Sequence, residues 1–267
     1  MNALSLGPFT LSAGLLSTFA AILALLFVGG RLARARGGAV ETGLWLIIGT
    51  ALVAARLTYV ARHAQLYALE PATLLDIRDG GFHLVAGLCA GLATAALLGW
   101  RQSAMRLPLM AGAAAGASVF GLAALLVLAL PAPTVRMPQL TLARLAGGTL
   151  SLPALAGKPV VLNLWASWCP PCRREMPVLR QAQLAHPEVH FIFVNQGETP
   201  EQIAAYLKAQ HIELDNIVLD ARPGLAHVLD SKALPSTFFF DSAGLLVERR
   251  VGQLSAATLS DQLSTLK

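Results

Sequence analysis

Charge is what this chain most lacks. Only 13% of its 267 residues are Asp, Glu, Lys or Arg, about half of what a soluble domain carries, and the first 130 residues contain no lysine. Aromatics are sparse at 6%, and there are three cysteines, too few for a disulfide framework. By contrast 55% of the residues are hydrophobic, which excludes a disordered chain and argues against a purely soluble enzyme. The net charge of +5 is not a nucleic-acid footprint, which would need a basic patch with aromatics on a soluble domain. Residues 1–130 carry eight Arg against four acids, whereas residues 131–267 carry twelve basic and eleven acidic side chains. The chain therefore reads as a membrane half over 1–130, a Pro-rich linker over 131–138 and a soluble domain over 139–267.

Phe9–Val28 is a 20-residue apolar run, long enough to cross about 30 Å of hydrocarbon. A signal peptide would place its basic residues before such a run. Here Arg31, Arg34 and Arg36 follow it, so the run reads as a retained span. Three more spans are expected over Gly43–Val60, Phe82–Trp100 and Leu107–Leu130. The arginines of the first linker, and Arg101 and Arg106 in the third, put those linkers in the cytoplasm by the positive-inside rule. Four spans then return the chain to the outside, so the soluble half is expected in the periplasm of a bacterial inner-membrane protein. Arg56, near the outer end of the second span, reads as snorkelling to the headgroups or, functionally, as a lipid contact. Gly87–Gly91 and Gly112–Gly116 have GxxxG spacing, which lets helix backbones approach closely.

Ser5–Phe9 (SLGPF), Ala55–Val60 (ARLTYV) and Asp79–His83 (DGGFH) resemble the first half of prolipoprotein diacylglyceryl transferase, over about residues 5–125. The family's His-Gly-Gly-Leu motif is replaced by Leu-Val-Ala after His83, and the later family spans are missing. The departures argue against acyltransferase activity. The resemblance implies a repurposed membrane module in which Arg56 and His83 are the candidate lipid contacts.

In the soluble half, Val160–Trp165 reads as a buried strand, and Trp168–Cys172 as a turn into a helix reaching Ala185. His190–Asn195 is the next strand. Thr199-Pro200-Glu201-Gln202 is a capping box opening another helix. Ile217–Leu219 is a strand, and Asp220 can cap a short helix over Pro223–Leu229. Ser236–Phe240 and Leu245–Val251 read as an antiparallel pair before a final helix near Ser255. Leu140–Leu142 and Thr149–Leu152 flank a Gly pair as a hairpin. This order predicts a central mixed sheet with helices on both faces.

Chemistry concentrates at Trp168-Cys169-Pro170-Pro171-Cys172. Cysteines three apart at a helix start are within disulfide reach, and Cys169 at the N-terminus is where a helix stabilises a thiolate. Pro170 and Pro171 are tolerated in the first turn because their missing N–H groups would be unpaired there. The competing readings are a zinc site or a structural disulfide. Zinc needs about four ligands, and no second CxxC or suitable His pair is available, so no metal is expected and redox chemistry is preferred. Cys89, alone in the third span, reads as a small buried apolar residue.

Val160–Pro177 (VVLNLWASWCPPCRREMP) and Ala233–Gly244 (ALPSTFFFDSAG) make the second half resemble the thioredoxin superfamily, in particular the membrane-tethered TlpA/ResA-like thiol–disulfide oxidoreductases. The resemblance covers about Leu140–Lys267. It implies a thioredoxin-like α/β domain with Cys169 as nucleophile, Cys172 as resolving thiol, and no cofactor beyond a redox-active Cys169–Cys172 disulfide. It further implies that Pro235 is a cis-proline opposite the CxxC, that the Leu234 backbone is free to pair with an extended substrate, and that Trp168 covers one side of the sulfurs. Asn163 stands where thioredoxin carries a buried acid. Asn cannot titrate, so the proton of the resolving thiol must go to water or another group. Glu175 is near in sequence, and its expected place is the solvated face of its helix.

The expected function is therefore membrane-anchored reduction of disulfides in extracytoplasmic clients, such as apocytochrome c or a copper-site assembly protein. A DsbD/CcdA-like membrane protein would supply the electrons. The alternatives are a disulfide donor, a lipid-handling membrane module with an attached redox domain, and a non-catalytic adaptor.

Overall fold

The computed structural model describes residues 3–6, 9–34, 39–69, 74, 76–129, 135–221 and 224–266. Gly7, Pro8, Arg36, Glu70, Leu130, the first half of the expected linker (Pro131–Thr134) and Pro223 lie outside the described residues. Two compact units result, Met1–Leu74 with Gly80–Ala132, and Pro133–Lys267 with Leu75–Asp79.

The first unit opens with a hairpin, β1 (Ala3–Leu6) and β2 (Phe9–Ser12), paired antiparallel. The helices α1 (Ala13–Ala33), α2 (Ala39–Arg62), the short α3 (Ala64–Leu69), α4 (Leu84–Arg101) and α5 (Ser103–Ala129) follow. Four of these contain stretches long and apolar enough to cross a membrane: Leu16–Ala33, Val40–Arg62, Leu84–Arg101 and Ser103–Val127. The first therefore starts later than the apolar run, because Phe9–Ser12 is spent on the hairpin.

Small residues set the helix contacts. A Cβ on Gly112 would lie 2.9 Å from the Leu25 carbonyl oxygen and 3.2 Å from Gly29 Cα, so α5 meets α1 backbone to backbone. On α4, a Cβ on Gly87 would lie 3.0 Å from the Ala51 carbonyl oxygen of α2. Both GxxxG pairs are thus used inside this bundle. Phe19, Leu23, Phe27, Trp45, Leu122 and Leu125 are exposed on its outer surface. Cys89 is exposed as well. This corrects the expectation of a buried cysteine: the buried stripe of α4 is Gly87, Gly91, Ala95 and Gly99, and two residues of helix turn Cys89 about 200° away from Gly87.

The second unit holds a seven-stranded mixed sheet in the order β4-β3-β7-β6-β5-β8-β9. In chain order its elements are β3 (Thr141–Arg144), β4 (Thr149–Ser151), β5 (Val160–Trp165), α6 (Pro170–Ala185), β6 (His190–Gln196), α7 (Pro200–Gln210), β7 (Ile217–Asp220), α8 (Gly224–Val228), β8 (Ser236–Phe240), β9 (Leu246–Val251) and α9 (Ala256–Thr265). A 3-10 turn, Leu152–Leu155, follows β4. Strands β5, β6 and β7 run parallel, while β8 is antiparallel to β5 and β3 is antiparallel to β7. Every residue of β5 is buried, the mark of a central strand covered on both faces. Its side chains alternate: Val161 and Trp165 join the core under α6, α7 and α9, and Val160, Leu162 and Leu164 the core under α8.

Side-chain caps fix the helix starts. Thr199 and Ser255 each form a capping box, and Asp220 accepts from the Gly224 and Leu225 amides at 3.1 and 3.0 Å. The end of the expected linker is not free chain. Met137 N–H donates to the Gly244 carbonyl, Leu246 N–H to that of Val135, both at 2.8 Å.

Candidate active site

The parallel register of β5 and β6 and the antiparallel register of β5 and β8 bring three connections to one end of the sheet. They are the Ala166–Cys169 turn after β5, the loop after β6, and Leu234-Pro235 before β8, where Ser236 pairs with Leu164. Cys169 is the N-cap of α6 and Pro170 its first residue. Cys169 and Cys172 are joined by a disulfide, with Cα atoms 5.3 Å apart. The Cys172 amide also donates to Cys169 Sγ at 3.3 Å, so the first sulfur lies where the helix presents free N–H groups and the positive end of its dipole. Both cysteines are nearly inaccessible, while Trp168 beside them is 67% exposed. Pro170 is exposed and Pro171 half-buried. The Leu234–Pro235 bond is cis, and Leu234 packs against the cluster that contains both cysteines.

Glu175 is the residue the sequence reading misplaced. It is fully buried, one turn beyond Cys172 on a helix face whose other buried members are Met176 and Leu179. Its carboxyl is held from two sides: Asn163 Nδ2 donates to Oε1 at 2.8 Å, and the Leu254 amide donates to Oε2 at 2.9 Å. Asn163 Nδ2 also reaches Thr237 Oγ1 at 3.0 Å, while among the described residues Asn163 Oδ1 has no partner. Burial pushes the Glu175 carboxyl up to about 8, against the opposing pull of the Leu254 and Asn163 hydrogen bonds. With no cation paired to it among the described residues, desolvation of the charge outweighs two donors. The available signal was positional: Cys172, Glu175, Met176 and Leu179 share the i, i+3, i+4, i+7 face of an inward stripe, so a carboxylate there is buried.

Arg56 and His83 belong to the first unit. Arg56 Nη1 donates to the Gly81 carbonyl at 2.9 Å and Nη2 to that of Leu74 at 3.2 Å. His83 is the N-cap of α4, its Nδ1 accepting from the Ala86 amide at 3.3 Å. Both side chains thus hold the connection between α2 and α4. Among the described residues no group of three or more His, Cys, Asp or Glu is placed to bind a metal.

Residues 133–249 match the AhpC/TSA family. The chain is 29% identical over 133 residues to the thiol–disulfide oxidoreductase ResA of Bacillus subtilis, covering 49% of this chain and 73% of ResA. The sporulation thiol–disulfide oxidoreductase A of the same organism is 28% identical over 120 residues, covering 43% of this chain and 72% of that relative. Among solved structures, MTB dsbF in its mixed oxidized and reduced forms is similar with a TM-score of 0.46 and 26% identity, covering 48% of this chain and 96% of dsbF. By the match over residues 133–249 and the two Bacillus relatives, the C-terminal half is a thioredoxin-like domain similar to the AhpC/TSA family and to the ResA-type enzymes, and it is a thiol–disulfide oxidoreductase.

Proposed function

We propose that this chain is a membrane-anchored oxidoreductase whose second half lies outside the cytoplasmic membrane and reduces disulfides of client proteins there. The observation that carries this reading is the Cys169–Cys172 pair at the start of α6, with the buried acid Glu175 one turn further on. In the dithiol form the Cys169 thiolate attacks a client disulfide. A mixed disulfide forms and one client thiolate leaves. Cys172 then attacks Cys169 Sγ, giving the Cys169–Cys172 disulfide and releasing the second client thiolate. Two electrons pass from the dithiol to the client. The ionised form of Glu175, whose carboxyl burial raises to about 8, takes the Cys172 proton as that thiol becomes a nucleophile. Asn163 holds the acid in place, Trp168 offers an apolar face to the client, and the Leu234 backbone beside Pro235 pairs with an extended client segment. No cofactor takes part beyond the cysteine pair.

The disulfide must be re-reduced from outside the domain, and a DsbD/CcdA-like membrane donor fits that need. Clients of the cytochrome c or copper-site assembly type fit the resemblance to ResA-like enzymes. The four long apolar helices support anchoring in the lipid bilayer of a bacterial inner membrane. With Arg56 and His83 engaged by the protein's own backbone, the membrane half is assigned to anchoring and not to lipid chemistry. Cys172→Ser, expressed in the native membrane, should accumulate mixed disulfides through Cys169, whereas Cys169→Ser should form none and lose exchange. Exchange retained by Cys169→Ser would sink the mechanism. Thiol trapping in cells reads the direction, since a dithiol at steady state supports the reductase and a disulfide the opposite role.

A further inference from the structure

The turn between β5 and α6 is clamped from the neighbouring strand. Cys169 N–H donates to the Ala166 carbonyl at 3.2 Å, closing a turn with Ser167 and Trp168 at its tip. Ser167 would be left with an unpaired amide and hydroxyl, and both are taken by Glu198 in the loop after β6. The Ser167 amide donates to Glu198 Oε2 at 2.7 Å, and the Ser167 hydroxyl donates to Oε1. Asn195 Nδ2 also donates to Oε2 at 2.7 Å, and Asn195 Oδ1 accepts from the Glu198 amide at 3.3 Å, so the clamp is itself braced. Gly197, with φ of +77°, gives the loop the left-handed residue it needs. The pairing of Trp165 with Asn195 brings this loop level with the CxxC turn. Three donors converging on one carboxylate are charge-assisted bonds, shorter and stronger than neutral ones, and none of them serves the hydrophobic core.

We propose that Glu198 is a positioning residue for disulfide exchange: acting through Ser167, it presets the turn that carries Cys169 and the exposed Trp168. The inference rests on Cys169 being the attacking sulfur. What Glu198 contributes is the placing of its hydrogen bonds on Ser167. A glutamine can still accept from the Ser167 amide and can donate to the Ser167 hydroxyl, whereas an alanine can do neither.

The test compares wild-type chain, Glu198→Ala, Glu198→Gln and Ser167→Ala, each full-length in detergent and pre-reduced. A disulfide-bonded fluorogenic peptide is the probe, and hydrogen exchange is followed at the amides of Ser167–Cys169. Glu198→Ala should slow peptide reduction about tenfold or more, since small misplacements of a reacting group cost that much, and the Ser167 amide should lose protection. Glu198→Gln should restore the rate to within about threefold, and Ser167→Ala, which loses one of the three bonds, should fall between them. Ser167→Ala also keeps the test open should Glu198→Ala not fold. Glu198→Ala reducing the peptide at the wild-type rate would overturn the inference, as would a Glu198→Gln as slow as the alanine variant. A wild-type chain that reduces no peptide while its Ser167 amide stays protected would instead overturn the redox reading.

Discussion

Replacing Glu175 with Gln gives the sharpest reading of the buried acid. The carboxyl ionises near its usual 4.5 in the unfolded chain and at about 8 in the folded one. Between those values the unfolded chain releases a proton that the folded chain keeps, so the folded state loses stability as pH rises. The contribution is complete below pH 4.5, declines by about 1.4 kcal/mol per pH unit above it, and is lost once pH passes about 8. The whole effect is on the order of 5 kcal/mol. Glu175→Gln removes the ionisation but keeps the shape. Its amide oxygen can accept from Leu254 N–H, and its Nε2 can donate to Asn163 Oδ1 if the Asn163 amide turns over. Urea unfolding of the disulfide form, full-length in detergent and followed by tryptophan emission from pH 4 to pH 9, should show wild type and variant diverging across this window in favour of the variant. Above about pH 8 the curves should run parallel. Parallel curves across the entire range would refute the argument, because Glu175 would then titrate alike in both states.

Asn163→Asp would set a second carboxyl against Glu175, where the amide now donates at 2.8 Å. Two buried carboxyls at that distance share one proton, so the alkaline limb of the pH–rate profile for client reduction should move upward. An unchanged profile would separate Glu175 from the proton transfer. In the first unit, Gly112→Leu should lower the thermal midpoint in detergent by the equivalent of about 1–3 kcal/mol, because its Cβ meets the Leu25 carbonyl oxygen at 2.9 Å. Gly121→Leu, at a site with nothing within 4 Å of a Cβ, should leave it unchanged.

The elements governed by local rules were readable from the chain. Val160–Trp165 carries six consecutive residues that only a doubly covered strand would bury, and Thr199-Pro200-Glu201-Gln202 states its own capping box. The N-terminal hairpin was hidden because Phe9–Ser12 joins an apolar run without a break, and hydropathy does not distinguish a strand from the first turn of a span. Glu175 was hidden for a different reason. Its surroundings come from Asn163, twelve positions earlier, and Leu254, seventy-nine positions later, and no local window contains both. Glu198 likewise meets Ser167 only through the register of β5 with β6.

The bond from Leu254 to the Glu175 carboxyl also bears on the order in which the protein is made. When Cys172 is synthesised, neither Thr237 nor Leu254 exists, so the two cysteines enter the world as an ordinary thiol pair with no buried acid behind them. The contacts that hold Asn163 and Glu175 in place come from segments made later, at Thr237 and Leu254. A fragment ending before Leu254 would keep the CxxC and lose one of the two donors that hold its buried acid.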